Sequence, residues 1–469
     1  VVLILYLMYF GYAMYWRFGD EGSIQLLVCT VLGILIIFHK IIQKKECGSC
    51  ILLVIDRHCI FWAISSQFLL AIVLLKTTWG ILTITWMADR VTSFMENGYK
   101  ASEFVFGKTY RDHMIILQAM PLTFFIGAFT AILYHFGVMQ YISKSIGRAL
   151  SSTLCTSPPE SLSVAANIFL GASQALLVVK PYLQYMSRSE LFSLMVGGFS
   201  SVSTSLFDLY ISVGVPAKHL LAACIMSAPA SFAISKLLVP ESKMNKEKQQ
   251  KYSDTLHLEK YKNIIDATCK GALDSVTLFC SAIVNLYVFY ALLQLINTTL
   301  AWFGERVGVE GLTFQFIISY LFLPLPLLMG VDTKDCRAIA KLIVYNLMGT
   351  NKLAYIMLGK LRNNHQQFLN YTSTLATNAT WHYNGDDIFL TQWNRTLTDG
   401  IISERSTVIA TYAFCGFANF TAMGIVMGAL IALIPKRKVV VLNLILKAMV
   451  AGNIACYLTA CISGLFHGT

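Results

Sequence analysis

The chain has 469 residues, of which 56% are hydrophobic and only 13% are charged, and its formal net charge is +11. Soluble proteins carry about 25% charged residues, so this composition excludes an ordinary soluble protein and predicts an all-α polytopic membrane protein. The basic residues lie mainly in short loops between apolar runs, as in other membrane proteins, so the charge gives no support to nucleic-acid binding.

The apolar segments predict the membrane-spanning helices. A spanning helix needs about 20 mostly apolar residues, and the candidates in chain order are 1–16, 23–39, 59–76, 113–137, 190–213, 217–238, 274–298, 409–434 and 439–465. Segments 157–184 and 333–360 are also apolar but are interrupted in the middle, and segment 312–329 carries Pro324 and Pro326. Because Val1 already lies in an apolar run and is not a methionine, we expect the sequence to be part of a longer chain.

Charged loops predict the orientation of these helices. The loops 39–58 and 240–262 and the turn 436–438 are rich in lysine and arginine, which places them in the cytoplasm. The long polar loop 361–400 instead carries three N-x-S/T sequences, which predicts an outer face glycosylated at Asn370, Asn378 and Asn394. By the same reasoning the C-terminus lies outside.

Two parts of the chain repeat one series of elements: an apolar helix, an interrupted segment, a helix with a Gly-Phe pair, and a final helix. Segment 157–184 has both ends inside and segment 333–360 has both ends outside, so the repeat is inverted and contains two re-entrant hairpins. Paired interrupted helices indicate a transporter's binding site near the middle of the membrane, because unwound peptide groups are tolerated where they line a cavity. The alternative is that the small residues only allow close helix packing.

The repeat also divides the chain into domains. Residues 1–78 form N-terminal transmembrane helices, and 79–240 form the first repeat with the hairpin 157–184. A cytoplasmic loop, 241–262, separates it from the second repeat. That repeat, 263–469, contains the hairpin 333–360 and the extracellular loop 361–400.

Six blocks of sequence resemble the concentrative nucleoside transporters, a family of sodium/nucleoside cotransporters. They are PPESLSVAANIFLG (158–171), VVKPYL (178–183), GVPAKHLLAACIMSAPAS (214–231), LMGVDTKDC (328–336), IATYAFCGFAN (409–419) and LTAC (458–461). The resemblance implies a multi-pass plasma-membrane homotrimer, with a scaffold and an elevator-type transport domain in each protomer. It implies that sodium carries a nucleoside inward, that sodium is the coupling ion, and that no organic cofactor is needed. By the same resemblance, the family's first two helices are absent from this sequence.

The resemblance assigns a sodium site to the first hairpin tip and the helix that faces it. The matching ligands are the side-chain oxygen of Asn167, the carbonyl of Leu170, the hydroxyl and carbonyl of Ser201, and the carbonyl of Val202. All are neutral oxygen ligands. Neutral oxygens suit a monovalent ion that must also be released. The alternative for Asn167 is an amide that only serves helix packing.

The nucleoside site departs from the family at the first hairpin. The family motif there is Gly-Gln-Thr-Glu, whose polar groups reach the base, and this chain has Gly171, Ala172, Ser173 and Gln174. The amide is lost at Ala172, the hydroxyl is retained at Ser173, and the carboxylate is replaced by the amide of Gln174. The resemblance also places Leu206 at this site.

The second hairpin departs as well. The family signature Asn-Glu-Phe-Val-Ala-Tyr, whose glutamate accepts ribose hydroxyls, is matched by residues 350–355, with Asn351 in the glutamate position and a new cation at Lys352. A family lysine is replaced by Asn346, the ribose-binding asparagine is retained as Asn419, and a serine becomes Ala422. Since a hydrogen bond to a carboxylate contributes about 1.5–3 kcal/mol, these changes predict roughly 10²- to 10⁴-fold weaker nucleoside binding.

Three functions remain open at this point. The first is a sodium-coupled nucleoside symporter with altered selectivity or affinity. The second is a transporter of another solute, for example an anionic one that pairs with Lys352, although this lysine could equally extend to the membrane surface or pair internally. The third is a non-transporting family member. An enzyme is not expected, because the sequence has no metal-ligand spacing, no Ser-His-Asp set and no phosphate-binding loop.

Overall fold

In a computed structural model, the structure describes residues 57–108, 110, 117, 120–139, 141–142, 145, 156–170, 172–202, 217–241, 261–306, 313–348, 351–375, 379–384 and 387–467. The predicted spans 1–16 and 23–39 lie outside these residues, as does most of the loop 241–262. In the described part, four helices are long and apolar enough to cross a membrane: His58–Lys76, His219–Leu238, Ile264–Trp302 and Pro435–Phe466.

The first two described helices are α1 (Arg57–Lys76) and α2 (Thr78–Phe106). They join at Thr77, whose hydroxyl oxygen accepts a hydrogen bond from the Gly80 amide at 3.1 Å and so caps α2. The sequence predicted α1 but assigned no element to α2. The reason is that charged residues such as Asp89 and Arg90 interrupt its apolar residues, so it contains no apolar run of spanning length.

Five described α-helices follow α2 in the first repeat. They are α3 (Met120–His135), α4 (Pro158–Leu170), α5 (Ala172–Val178), α6 (Arg188–Ser200) and α7 (Ala217–Leu238). Helices α4 and α5 pack against each other and against α6, so the interruption predicted in 157–184 lies between these two helices. The span predicted at 190–213 is helical only as far as the end of α6, and its residues beyond 202 are outside the described part.

The second repeat begins with one long helix and ends with another. Its helices are α8 (Ile264–Arg306), α9 (Phe314–Leu321), α10 (Pro324–Met329), α11 (Cys336–Met348), α12 (Asn351–Leu375), α13 (Glu404–Ala413), α14 (Phe420–Leu433) and α15 (Lys438–His467). Helix α8 extends well beyond the predicted 274–298. The span predicted at 409–434 consists of two helices, because residues 414–419 between α13 and α14 are not helical.

The loop 361–400 contains ordered structure that the sequence analysis did not assign. Helix α12 continues to Leu375 and is followed by an antiparallel sheet in the order β1 (Trp381–Asn384), β2 (Asp387–Leu390), β3 (Arg395–Leu397), with Tyr383 opposite Ile388 and Ile388 opposite Leu397. Tyr371 of α12 packs with Ile388, Leu390 and Leu397 in a small separate core. The helical fold class is confirmed, and this sheet is the described exception to it.

The main core forms where broken helices cross unbroken ones. Helix α15 packs against α6, α7 and α13. A Cβ atom on Gly452 of α15 would lie 2.5 Å from the Cβ of Phe199 of α6, so only glycine permits this close crossing. A Cβ on Gly416, in the break between α13 and α14, would lie 2.8 Å from the Phe199 carbonyl oxygen. The two broken helices of the repeat therefore face each other at their breaks.

Candidate functional site

The first part of the site lies where α4 and α6 end. Asn167 lies in the last turn of α4 and packs against Gly197 of α6, where an added Cβ would be 3.1 Å from the asparagine Nδ2. Leu170 is the last residue of α4, so its carbonyl is one of the four at a helix C-terminus that lack intrahelical partners. Helix α6 ends at Ser200 because Ser201 is extended, with φ −113° and ψ 156°.

Asn167, Gly197 and Ser201 line a pocket together with one face of α7. Its lining residues are Val164, Asn167, Ile168, Gly197, Ser200, Ser201, Cys224, Ser227, Ala228 and Ser231. Asn167 is only 3% exposed, yet among the described residues neither its Oδ1 nor its Nδ2 has a hydrogen-bond partner. A buried polar group without a partner costs about 1–3 kcal/mol, so such groups are rare unless a ligand satisfies them.

The pocket fits a sodium ion by its chemistry. Asn167 contributes a free amide oxygen, and the C-terminus of α4 carries partial negative charge that favours a cation. The Ser201 hydroxyl donates to the Gly198 carbonyl at 3.3 Å, which leaves the oxygen lone pairs of Ser201 available. Two of the predicted ligands, Leu170 and Val202, do not line the pocket. The Val202 amide donates to the Cys224 sulfur at 3.4 Å.

Sequence reasoning missed the α7 side of this pocket. Cys224, Ser227 and Ser231 are spaced three and four residues apart, so they lie on one face of α7 and point toward the end of α6. The Ser227 hydroxyl donates to the Ser200 carbonyl at 2.8 Å and so holds the end of α6. The spacing C-x-x-S-x-x-x-S in CIMSAPAS was the signal that could have found this face.

The second part of the site lies where α12 begins, at the break of the second hairpin. Asn351 is 2% exposed, and its Nδ2 donates to the carbonyl oxygens of Phe414 at 2.8 Å and Gly416 at 2.6 Å. Its Oδ1 accepts from the Nδ2 of Asn419 at 2.7 Å. The Asn419 Oδ1 in turn accepts from the Ala422 amide at 2.7 Å and caps α14.

A backbone hydrogen bond joins the two parts. The Phe417 amide, in the break between α13 and α14, donates to the Ser201 carbonyl at 3.2 Å. Ala172 and Ala422 are both buried in the same hydrophobic cluster, beside these breaks. The structure thus brings together Asn167, Ser201, Ala172, Asn351, Asn419 and Ala422. The side chains of Ser173, Gln174 and Lys352, and the whole of Leu206, lie outside the described part.

A buried group of charges lies at the other end of the first hairpin. The Lys236 ammonium, at the end of α7, lies 2.7 Å from the Glu160 carboxylate in the first turn of α4 and 3.8 Å from that of Glu241. The side chains of Lys236 and Glu160 are only 13% and 2% exposed. This ion pair fixes the start of α4 against α7. Beyond the turn that follows α5, Lys180 pairs with Asp274 of α8 and so ties that end of the hairpin to the long helix.

Comparison with protein families gives three consecutive matches. Residues 54–109 match the description "Na+ dependent nucleoside transporter N-terminus", and residues 116–217 match "Nucleoside recognition". Residues 219–464, more than half of the chain, match "Na+ dependent nucleoside transporter C-terminus". The three matches together include every described helix and strand, apart from residue 218 of α7 and the last three residues of α15.

Two known proteins are similar to most of this chain. Solute carrier family 28 member 3 of Homo sapiens is 36% identical over 410 residues, which is 87% of this chain and 56% of that protein. Sodium/nucleoside cotransporter 2 of Rattus norvegicus is 34% identical over 408 residues, or 87% of this chain and 58% of that protein. This chain therefore spans a little over half the length of these relatives.

Solved structures of CNTnw have the same fold. A variant in an outward-facing state has a TM-score of 0.74 at 28% identity, and the match covers 95% of this chain and 99% of that chain. CNTnw in an inward-facing substrate-bound state has a TM-score of 0.68 at 28% identity, covering 96% and 98%. The inverted repeat with two interrupted hairpins is thus found in proteins captured in more than one conformation.

Proposed function

This chain belongs to the Na+-dependent nucleoside transporter family, and we propose that it is a sodium-coupled symporter that imports nucleosides by alternating access. Its family consists of transporters rather than enzymes. Sodium is the coupling ion, and the transported solute is a nucleoside or a closely related neutral molecule. The observation that carries this proposal is the buried, unpartnered amide of Asn167 in a pocket at two helix ends.

Sodium would be held by Asn167, Leu170 and Ser201, with Val202 at the edge of the site. A cation at the Asn167 Oδ1 would offset the cost of burying that oxygen. Ser201 lines the same pocket and Leu170 ends the helix that carries Asn167, which supports this assignment. Weak neutral ligands would let the ion leave on the inner side, as a symport cycle requires.

The nucleoside would bind between the two hairpin breaks. We assign Asn351 and Asn419 to the sugar side of this site and Ala172, Ser173, Gln174, Leu206 and Ala422 to the remaining contacts. The bonds that join Asn351 and Asn419 support placing these two residues in one site. The loss of carboxylates relative to the family implies weaker binding than a carboxylate-bearing site would give.

The remaining assignments concern the whole protein, a multi-pass protein of the plasma membrane. Three copies would assemble as a homotrimer. The exposed apolar side chains of α8, including Tyr287, Leu292 and Leu295, support a surface through which the copies contact one another. The domain boundaries 1–78, 79–240, 241–262 and 263–469 follow the repeat. Glycans would attach at Asn370, Asn378 and Asn394.

Uptake of radiolabelled uridine and adenosine tests the function directly. The full-length protein is expressed in cells without endogenous nucleoside transport, and sodium is replaced by choline in parallel samples. We expect uptake in sodium and background values in choline. An absence of sodium-dependent uptake from protein detected at the cell surface would contradict the proposal. The variant Asn167→Ala, which retains the fold but loses the free amide, provides the matched negative control.

A further inference from the structure

The side chain of Asn351 binds the backbone of the segment 414–419, which links α13 and α14. The segment 414–419 is not helical, so its peptide groups need partners other than their own helix. Asn351 supplies two of them through one amide nitrogen, whose two protons reach the Phe414 and Gly416 carbonyls at 2.8 and 2.6 Å. Both donors of this side chain are therefore used within the protein.

The side-chain oxygen of Asn351 also has a partner within the protein. The Asn351 Oδ1 accepts from the Nδ2 of Asn419 at 2.7 Å, and the Asn419 Oδ1 caps α14. The two side chains are 2% and 1% exposed, so water reaches neither of them. One turn further along α12, the Tyr355 hydroxyl donates to the Thr411 carbonyl at 2.9 Å and holds the end of α13 in the same way.

We propose that Asn351 and Asn419 form a clasp that closes the second hairpin over residues 414–419, and that a solute enters only by replacing the clasp's bonds with its own. This inference rests on the proposed function for the identity of the solute. Opening the clasp exposes two carbonyl oxygens, which accept hydrogen bonds and cannot donate them. A solute must therefore bring donors, as a neutral molecule with adjacent hydroxyl groups does.

The same geometry argues against an anionic solute. An anionic group offers acceptors only, and placed against the Phe414 and Gly416 carbonyls it would leave both unsatisfied and be repelled by their partial charges. For the same reason a carboxylate at position 351 cannot make the clasp. In Asn351→Asp the side chain keeps its size but loses both donors.

A native cysteine reports on the clasp without any transport assay. Cys415 lies between the two clasped carbonyls and is 1% exposed. Purified protein in detergent is treated with N-ethylmaleimide, and the alkylation rate at each cysteine is measured by mass spectrometry. We expect Asn351→Asp to raise the rate at Cys415 by about 10-fold or more, because both hydrogen-bond donors that hold the segment closed are lost. Cys59, buried in α1, should react at its wild-type rate.

The chain offers a matched control on the same helix. Asn364 of α12 also donates through Nδ2 to two backbone carbonyls, those of Thr398 and Gly400, both at 2.9 Å. Asn364→Asp makes the same chemical change away from residues 414–419 and should leave the Cys415 rate unchanged. The clasp is wrong if Asn351→Asp leaves Cys415 protected, or if Asn364→Asp exposes it equally.

Thermal stabilisation by nucleosides, measured in sodium, tests whether the solute must donate hydrogen bonds. Uridine should raise the unfolding temperature of the wild-type protein, and 2′,3′-dideoxyuridine, which lacks the two adjacent hydroxyls of the ribose ring, should not. Equal stabilisation by the two compounds would overturn the donor requirement. If no nucleoside stabilises or is transported, the proposed function fails, whereas the alkylation result still decides whether the clasp exists.

Discussion

At the scale of single residues, the contrast between Asn167 and Asn351 separates the two parts of the site. Both are buried asparagines at helix ends, but the Asn167 amide has no partner and every donor of Asn351 has one. An unsatisfied buried amide is unfavourable until a ligand arrives, whereas a satisfied amide is favourable until a ligand displaces its partners. The first is suited to a small cation and the second to a solute that exchanges hydrogen bonds.

Replacing Asn167 should therefore lower stability only when sodium is present. Without sodium, we expect Asn167→Ala to be at least as stable as the wild-type protein, since alanine removes an unsatisfied buried amide and is the better helix former. In sodium, the wild-type protein should be stabilised, and the variant should need about 10-fold more sodium for the same gain, which is about 1.4 kcal/mol. Thermal unfolding of purified protein in sodium and in choline measures both effects.

Asn453 of α15 is the control for Asn167. Its Nδ2 donates to the carbonyls of Ala418 at 2.8 Å and Met449 at 3.1 Å, so Asn453→Ala should lower stability by about 1–3 kcal/mol in either salt. Undiminished stabilisation of Asn167→Ala by sodium would show that the ion binds elsewhere.

At the scale of elements, ion pairs and glycines determine how the first hairpin is held. Lys236 of α7 pairs with Glu160 at the start of α4, and Lys180 pairs with Asp274 of α8. The breaks themselves are packed through Gly197 and Gly416, where an added Cβ would crowd a neighbouring residue. Ion pairs thus fix the ends of the hairpin, and small residues allow the neighbouring backbone to pack closely against its tip.

Removing Lys236 should destabilise the protein strongly. Breaking a buried ion pair leaves a carboxylate without compensation, so we expect Lys236→Met to cost about 3–5 kcal/mol in the free energy of unfolding. Adding Glu160→Gln should recover much of this loss, because the uncompensated charge is then removed. Denaturant unfolding of the purified protein provides the measurement.

An exposed pair provides the comparison. Lys270 and Asp266 of α8 lie 3.4 Å apart at positions i and i+4, with side chains 50% and 24% exposed. Lys270→Met should change stability by less than about 0.5 kcal/mol. A Lys236→Met variant that loses no more than this would mean that the buried pair does not hold α4.

Particular residues show how much the sequence could predict. The breaks at Gly171 and near Gly416, and the candidate ligands Asn167 and Ser201, followed from the repeat and the family motifs. The partners of Asn351 did not, because they depend on α12 and the 414–419 segment meeting across about 60 residues of sequence, which no local pattern encodes. The outer sheet had a local signal, since Asn384-Gly385-Asp386 lies between two runs of strand-forming residues.

At the scale of the whole molecule, the side of the membrane on which the loop 361–400 lies determines which way each repeat faces. Asn370 is exposed on α12, and Asn394 is exposed in the turn between β2 and β3 with φ 46°. Both positions are accessible to a glycosyltransferase, unlike the sequence Asn419-Phe420-Thr421, whose asparagine is 1% exposed. The location of the glycans therefore tests the inverted topology.

Removing single glycosylation sequences should reveal that topology. Asn370→Gln and Asn394→Gln are each expected to remove one glycan and to increase electrophoretic mobility until glycosidase treatment abolishes the difference. Thr421→Val, which eliminates the buried sequence, should leave the mobility of the protein unchanged. Protein without any glycan from mammalian cells, despite delivery to the cell surface, would place the loop 361–400 on the inner side.

The bond between Phe417 and Ser201 joins the proposed sodium and solute sites, so each ligand would be an effector of the other. A sodium ion bound at the Ser201 carbonyl, as proposed, would weaken the hydrogen bond from the Phe417 amide, which belongs to the segment 414–419 of the proposed solute site. Thermodynamic reciprocity then requires that solute tighten sodium by the factor by which sodium tightens solute, typically about 5- to 150-fold. Uridine affinities measured across a sodium titration give that factor, and an affinity independent of sodium would show that this shared carbonyl transmits nothing.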